Sequence, residues 1–231
     1  MSVALWVNEG SRGAQRARNI KNYGGGTFGF VSMPLTTTSP TDAATCRAAG
    51  LRVNLHMDAT GVAERDALWL STAIDQLAPI GLVEINNELP DASIGPYTVA
   101  VVREFRARRA TWPLRIAVAP NKHGFLPGSL FAGDPNLHAS MFTYYGNMQG
   151  RYSEATALKQ LLDVGVPKQR AAVIYAAACD VFDPQTGKWH RCLTLPSVFL
   201  SETGTNRALV VGPLGGGPVF SDDLLADMGQ I

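Results

Sequence analysis

Two stretches of the chain alternate polar and apolar residues with a period of two. In LRVNLHMD (51–58), Arg52, Asn54, His56 and Asp58 alternate with Leu51, Val53, Leu55 and Met57. In GLVEINNELP (81–90), Glu84, Asn86 and Glu88 alternate with Val83, Ile85 and Asn87. Successive strand side chains point to opposite faces, so each stretch predicts a strand with one polar and one apolar face. Further strand-like runs fall at Val3–Val7, Thr27–Met33, Leu114–Ala119, Leu137–Tyr145, Ala171–Ala178, Ser197–Ser201 and Ala208–Val211. Between them, residues 62–78 place Leu68, Ile74 and Leu77 at helical spacing. Residues 97–110 and 153–164 behave alike, each followed by Pro or Gly as a stop signal, and 41–49 fits a shorter helix.

Strands that alternate with helices pair in parallel, because each crossover returns the chain to the same end of the sheet. About eight strands in 231 residues predict an α/β protein, a compact single-domain (β/α)8 TIM-like barrel over residues 1–231. The alternative is an open doubly wound sheet. Neither GxGxxG nor GxxxxGK[ST] follows the first strand, however, and the GGG runs at 24–26 and 215–217 read as turns. In a barrel the helices cover the outer face, so the polar faces of the two alternating strands point inward. Buried charge is costly unless paired, which predicts an inner network in which Arg115, two strands on from Arg52, joins Glu84. A hairpin insertion is expected at about 181–196, built on FDPQTGKWHRC (182–192) with its turn around Gln185–Gly187.

Composition narrows the partners. With 46% hydrophobic residues, 17% charged and a net charge of +1, the chain is ordinary for a globular protein and lacks the basic field of a nucleic-acid binder. Its one basic run, Arg103, Arg106, Arg108 and Arg109, reads as the solvated face of a helix. Cys46, Cys179 and Cys192 are odd in number and lack zinc-type spacing, so neither a disulfide framework nor a metal site is indicated, although a Cys179–Cys192 bridge stays open. MSVALWVNEGSRGAQ has no basic stretch followed by a long apolar core, and no segment reaches the roughly 18 apolar residues of a membrane span. The expectation is a soluble chain without a signal peptide, cytoplasmic when made, with no membrane span and no cofactor.

Glu88 closes its strand, immediately before Leu89-Pro90. Barrel active sites sit at the C-terminal ends of the strands, so a carboxylate there reads as catalytic and one lower down as support. INNE, with Asn87-Glu88 at the end of the fourth strand, resembles the Asn-Glu signature of retaining (β/α)8 glycoside hydrolases, in which that glutamate is the acid/base. The spacing of Gly81, Glu84, Asn86 and Glu88 is similar to the D-x-x-D-x-D-x-E strand of chitinase-like family 18 glycoside hydrolases. Phe142-Thr143-Tyr144-Tyr145 resembles that family's M-x-Y-D, and GVPKQRAAVIY (165–175) its run before strand seven. The chain departs from the pattern where Gly81 and Asn86 replace aspartates on strand four and Tyr145 replaces the aspartate on strand six.

The resemblance implies glycoside cleavage, which passes through an oxocarbenium-like transition state. One carboxylic acid protonates the leaving oxygen, and a second carboxylate attacks or activates water. Glu88 fits the first role, and Glu202 or Asp180 the second. Tyr144, Tyr145 and Trp189 offer rings that pack on pyranose faces, while His56, Asp58, Asn86 and Asn87 offer polar contacts; Trp6 fits core packing better. Three functions follow as expectations. The first is an enzyme that cleaves a polysaccharide such as a cell-wall glycan. The second is an inert glycan-binding or structural barrel in a larger assembly, such as a minor tail protein of a bacteriophage virion. The third is an aldolase or isomerase, for which Lys122, just beyond the fifth strand, would supply the amine.

Overall fold

The computed structural model describes residues 3–6, 28–119, 121–142, 154–183, 188–193 and 209–214, with side chains described within 31–119, 121–142 and 156–172. Nine strands are described: β1 (Val3–Trp6), β2 (Phe28–Pro34), β3 (Arg52–Asp58), β4 (Val83–Asn87), β5 (Leu114–Val118), β6 (Leu137–Phe142), β7 (Ala171–Asp183), β8 (Lys188–Leu193) and β9 (Leu209–Leu214). Between them run α1 (Pro40–Ala48), α2 (Ala63–Leu77), α3 (Asp91–Arg108), α4 (Gly128–Gly133) and α5 (Glu154–Asp163). Each strand from β2 to β6 pairs in parallel with the next, so the chain is an α/β protein whose parallel sheet alternates with helices. Parallel pairings of β7 with β9, β9 with β1 and β1 with β2 return the hydrogen-bonded order to its first strand. Strand β8 pairs antiparallel with β7, Ala178–Asp183 against Lys188–Leu193, in a register that sets Cys179 opposite Cys192; the turn expected around Gln185–Gly187 lies outside the described residues.

The period-two pattern sorts the strands into two faces. Val31, Met33, Val53, Leu55, Val83, Ile85, Leu114, Ile116 and Met141 join one apolar core with Leu70, Ile74, Val101 and Phe105 from the helices. Full burial of each large aliphatic or aromatic side chain in such a core is worth roughly 1.5–3 kcal/mol. The alternate positions Ser32, Asn54, His56, Glu84, Asn86, Arg115 and Ser140 are buried as well, yet they are polar and face away from the helices. This second face is where function can reside.

Local signals set the helix limits. Ser39 caps α1 in a reciprocal box with Asp42. At its other end Gly50, at φ +85°, donates to Arg47 O at 2.8 Å while Leu51 donates to Cys46 O at 3.1 Å, the paired bonds of a Schellman stop. Helix α3 starts at Asp91 rather than at the expected residue 97, with Pro96 inside it. Proline forfeits one backbone bond there, but Ile94, Tyr97 and Thr98 are buried on both sides of it and hold the turn in place.

The arginine run of α3 is only partly a solvated face. Arg106 is 17% exposed, bonds Asp134 at 2.6 Å and donates to Trp112 O at 2.7 Å. Arg109 reaches back to α2, pairing with Asp75 and donating to Ser71 Oγ at 2.9 Å. These residues tie α3 to its neighbours, and their charges are matched locally. Among the described residues, no helix is long and apolar enough to cross a membrane.

Candidate functional site at the carboxyl ends of β3 and β4

The polar face is built in rungs. In the lower rung the register aligns His56 with Glu84, Glu84 with Arg115, and Arg115 with His138. Glu84 and Arg115 form the expected buried ion pair, and Ser140 Oγ donates to Glu84 Oε2 at 3.3 Å. Ser32 Oγ and His56 Nδ1 share a hydrogen bond of 3.1 Å. Burial, seconded by the Arg115 charge, pushes the His56 pKa down to about 3. His138 is pushed down to about 4, again first by burial and then by Arg115. Both imidazoles are therefore neutral at pH 7. His56, 3% exposed and bonded to Ser32, is a support beneath the site rather than the sugar contact expected of it.

These histidines give the fold an acid limit. Their folded pKa values lie below the ordinary 6.5, so between pH 6.5 and about 4 the unfolded chain binds protons that the folded chain refuses. Stability is thus complete above pH 6.5 and is lost as the pH falls through that window, by about 1–2 kcal/mol per histidine at pH 5. Urea unfolding at pH 7.5 and pH 5.0 should show a lower midpoint at pH 5.0. Equal midpoints would contradict the burial of neutral imidazoles.

The upper rung opens at the carboxyl ends of the strands. Asp58, exposed at the end of β3, is the register partner of Asn86 on β4, which is followed by Ala117 on β5 and Ser140 on β6. Asn86 Nδ2 donates to Asp58 Oδ1 at 2.9 Å, and Ala59 N donates to Asn86 O at 2.9 Å. Asn86 is 3% exposed, and its Oδ1 has no hydrogen-bond partner among the described residues. Glu88 follows β4 directly and is exposed. Asn87 is turned the other way: its Nδ2 donates to Ile94 O at 3.3 Å and Thr98 Oγ1 at 3.1 Å, so it braces α3 instead of facing a ligand.

A buried carboxylate steadies the loop that follows Asp58. Asp66, in the first turn of α2, accepts from Thr60 N at 2.9 Å, from Thr60 Oγ1 and from Tyr97 OH at 2.5 Å. Burial, reinforced by this carboxylate, raises the Tyr97 pKa and keeps the hydroxyl a donor. Sequence reasoning passed over Asp66, yet a signal was there: it sits on the same helical stripe as Leu70, Ile74 and Leu77, where a charge must find partners.

The other candidates divide in two ways. Lys122 pairs with Asp91 at the start of α3. Asp180 and Trp189 lie on the hairpin, in register with Arg191 and Phe182, and their side chains are outside the described set. Tyr144, Tyr145 and Glu202 lie outside the described residues altogether, as does the Ser197–Ser201 run. Among the described residues, no group of three or more His, Cys, Asp or Glu side chains is placed to hold a metal ion.

No family model and no curated protein matches the chain. Among solved structures it resembles an uncharacterized B. cereus protein, with a TM-score of 0.55 at 11% identity over the whole chain. The match spans 65% of that protein, just under two thirds of its length. A truncated form of 3-deoxy-D-arabino-heptulosonate 7-phosphate synthase from Thermotoga maritima gives a TM-score of 0.55 at 7% identity, covering all of this chain and 84% of that one. At such identities the likeness concerns the fold alone.

Proposed function

We propose that the chain is a glycoside hydrolase-like (β/α)8 barrel that acts on a polysaccharide such as a cell-wall glycan, with Glu88 as general acid/base. The return of the strand ladder to β1 and the likeness to the T. maritima synthase, a TIM barrel, support that architecture. The observation that carries the function is the grouping of Glu88 with the Asp58–Asn86 pair at the carboxyl ends of adjacent parallel strands, where α/β folds bind and transform ligands. Below them the Glu84–Arg115 pair fills the interior and shapes a floor. An exposed acid over a packed floor suits a long substrate lying across the strand ends.

Glu88→Gln tests this reading. The substitution keeps the shape and removes the transferable proton, so hydrolysis of a susceptible glycan should fall by about 10²–10⁴-fold in kcat while the circular dichroism spectrum is unchanged. Hydrolysis undiminished in this variant would end the reading. The second reading, an inert glycan-binding component of an assembly such as a bacteriophage tail, is favoured by Asn86 standing where the chitinase-like pattern has an aspartate. It predicts glycan retention on an affinity gel with no cleavage by the wild-type chain.

A further inference from the structure

We infer that the groove between α1 and α2 is an outlying subsite for an uncharged stretch of glycan, gripping a long polysaccharide beside the strand ends; the inference rests on the glycan reading above. The groove has a volume of about 730 Å³, within the roughly 300–1,000 Å³ of small-ligand sites. Thr36 and Thr38, in the loop after β2, line its mouth, and Leu68, Trp69, Thr72 and Gln76 of α2 form one wall.

The wall of α2 is exposed where periodicity predicts burial. The spacing of residues 62–78 sets Leu68 with Ile74 and Leu77, but the buried stripe runs through Leu70, Ile74 and Leu77. Leu68 is 50% exposed and Trp69 41%. A single exposed apolar side chain needs no explanation, whereas two adjacent ones on the wall of a groove, one of them an indole, mark a surface that a ligand can cover. Arg65 lies over the indole, 5.2 Å from its centroid, and steadies the ring at the groove.

The chemistry of the lining selects the occupant. Among the described residues, none that lines the groove is charged, so an ionic partner would lose hydration there without meeting a counter-charge. An apolar helix is matched no better, because threonines and Gln76 interrupt the apolar wall. A pyranose carries both characters. Its C–H face packs on an indole, and the hydroxyls at its edge exchange hydrogen bonds with side-chain hydroxyls and an amide. Thr36, Thr72 and Gln76 are exposed, which leaves their polar groups within reach of such a ligand.

Position ties the groove to the candidate site. The loop at its mouth leaves the carboxyl end of β2, which pairs with β3, and Leu35 N donates to His56 O at 2.7 Å, two residues before Asp58. Thr38 donates to Pro34 O through both N, at 3.1 Å, and Oγ1, at 2.6 Å, so the mouth is built before any ligand arrives. At the other end of α1, Arg47 Nη1 donates to Leu77 O at 3.0 Å and ties α1 to α2. A polysaccharide lying across the ends of β3 and β4 meets this mouth at the next strand along. The groove therefore adds affinity for a long chain and none for a short one.

The test uses the full chain in its Glu88→Gln form, which binds glycan without cleaving it, with chitohexaose, cellohexaose and soluble peptidoglycan fragments as probes. Trp69→Ala in that background should weaken binding by about tenfold, and Trp69→Phe, which keeps a ring, by less than about threefold. With Glu88 intact, Trp69→Ala should raise KM for the longest chain cleaved by a similar factor and leave kcat/KM for a trisaccharide of the same sugar unchanged. Unchanged binding by Trp69→Ala would overturn the inference, while Glu88-dependent cleavage by the wild type would keep the glycan reading. An equal loss on the short and long substrates would likewise overturn it, since Trp69 would then act on the fold or on the site itself. Trp69-dependent binding without cleavage would uphold the subsite beside the inert reading, and neither binding nor cleavage of any probe would end both. A dimer in sedimentation equilibrium that Trp69→Ala dissolves would put a second copy in the groove and overturn the inference. Thr72→Val and Gln76→Ala, both at exposed positions, carry the same comparison if Trp69→Ala fails to fold.

Discussion

Arg115→Ala is expected to destabilise the fold by about 3–5 kcal/mol, because it strands a carboxylate in the interior. Glu84 is fully buried and Arg115 is 3% exposed, so neither charge has water to fall back on. At a typical urea dependence of about 1–3 kcal/mol per molar, the unfolding midpoint should drop by about 2 M with little change in slope. The pair itself contributes far less than this loss. Its attraction is offset by the cost of desolvating both ions, and Glu84 Oε1 and Arg115 Nη2 have no hydrogen-bond partner among the described residues. The double variant Glu84→Gln/Arg115→Met should therefore recover more than half of the lost stability. Arg115 also helps hold down the pKa values of His56 and His138, so the single variant should be less acid-sensitive relative to its own stability at neutral pH. A loss under about 1 kcal/mol would show that water reaches the pair.

The Glu84–Arg115 contact was legible in the sequence because it needs only two facts: alternation puts both residues on the polar face, and buried charges seek partners. The hydrogen bond between Asn86 and Asp58 needs a third, the register of β3 against β4. Register depends on how α2 and its flanking turns return the chain, and no local pattern in residues 51–90 encodes it. Asn87 shows the same limit from the other side. Alternation already placed it on the helix face with Val83 and Ile85, but its partner Thr98 becomes visible only once α3 is known to begin at Asp91. Alternation predicts Glu88 as the last residue of its strand, whereas β4 ends at Asn87. The glutamate consequently belongs to the loop at the carboxyl end, which is where a group that must meet both solvent and substrate is needed.

The other large effect expected is structural and lies in a helix start distant in sequence from the site. A Cβ on Gly128 would fall far inside van der Waals contact distance of the Val164 carbonyl oxygen, so α4 and the turn after α5 touch backbone to backbone. Neither side can yield by rotating a side chain. Gly128→Ala should therefore cost about 3 kcal/mol or more, at or beyond the upper end of ordinary overpacking, and a larger residue should prevent folding. The neighbourhood supplies its own controls. Gly165, the Schellman glycine of α5 at φ +93°, should lose roughly 1–2 kcal/mol as alanine through backbone strain alone. Gly133, whose added Cβ would meet nothing within 4 Å, should change by no more than about 0.5 kcal/mol. Thermal unfolding of the three alanine variants should rank them in that order. If Gly128→Ala were as mild as Gly133→Ala, the close approach of α4 to the turn after α5 would be refuted. That contact anchors the segment between β5 and β6, whose Ala117 and Ser140 continue the rung begun by Asp58 and Asn86, so its loss should also loosen the floor beneath the candidate site.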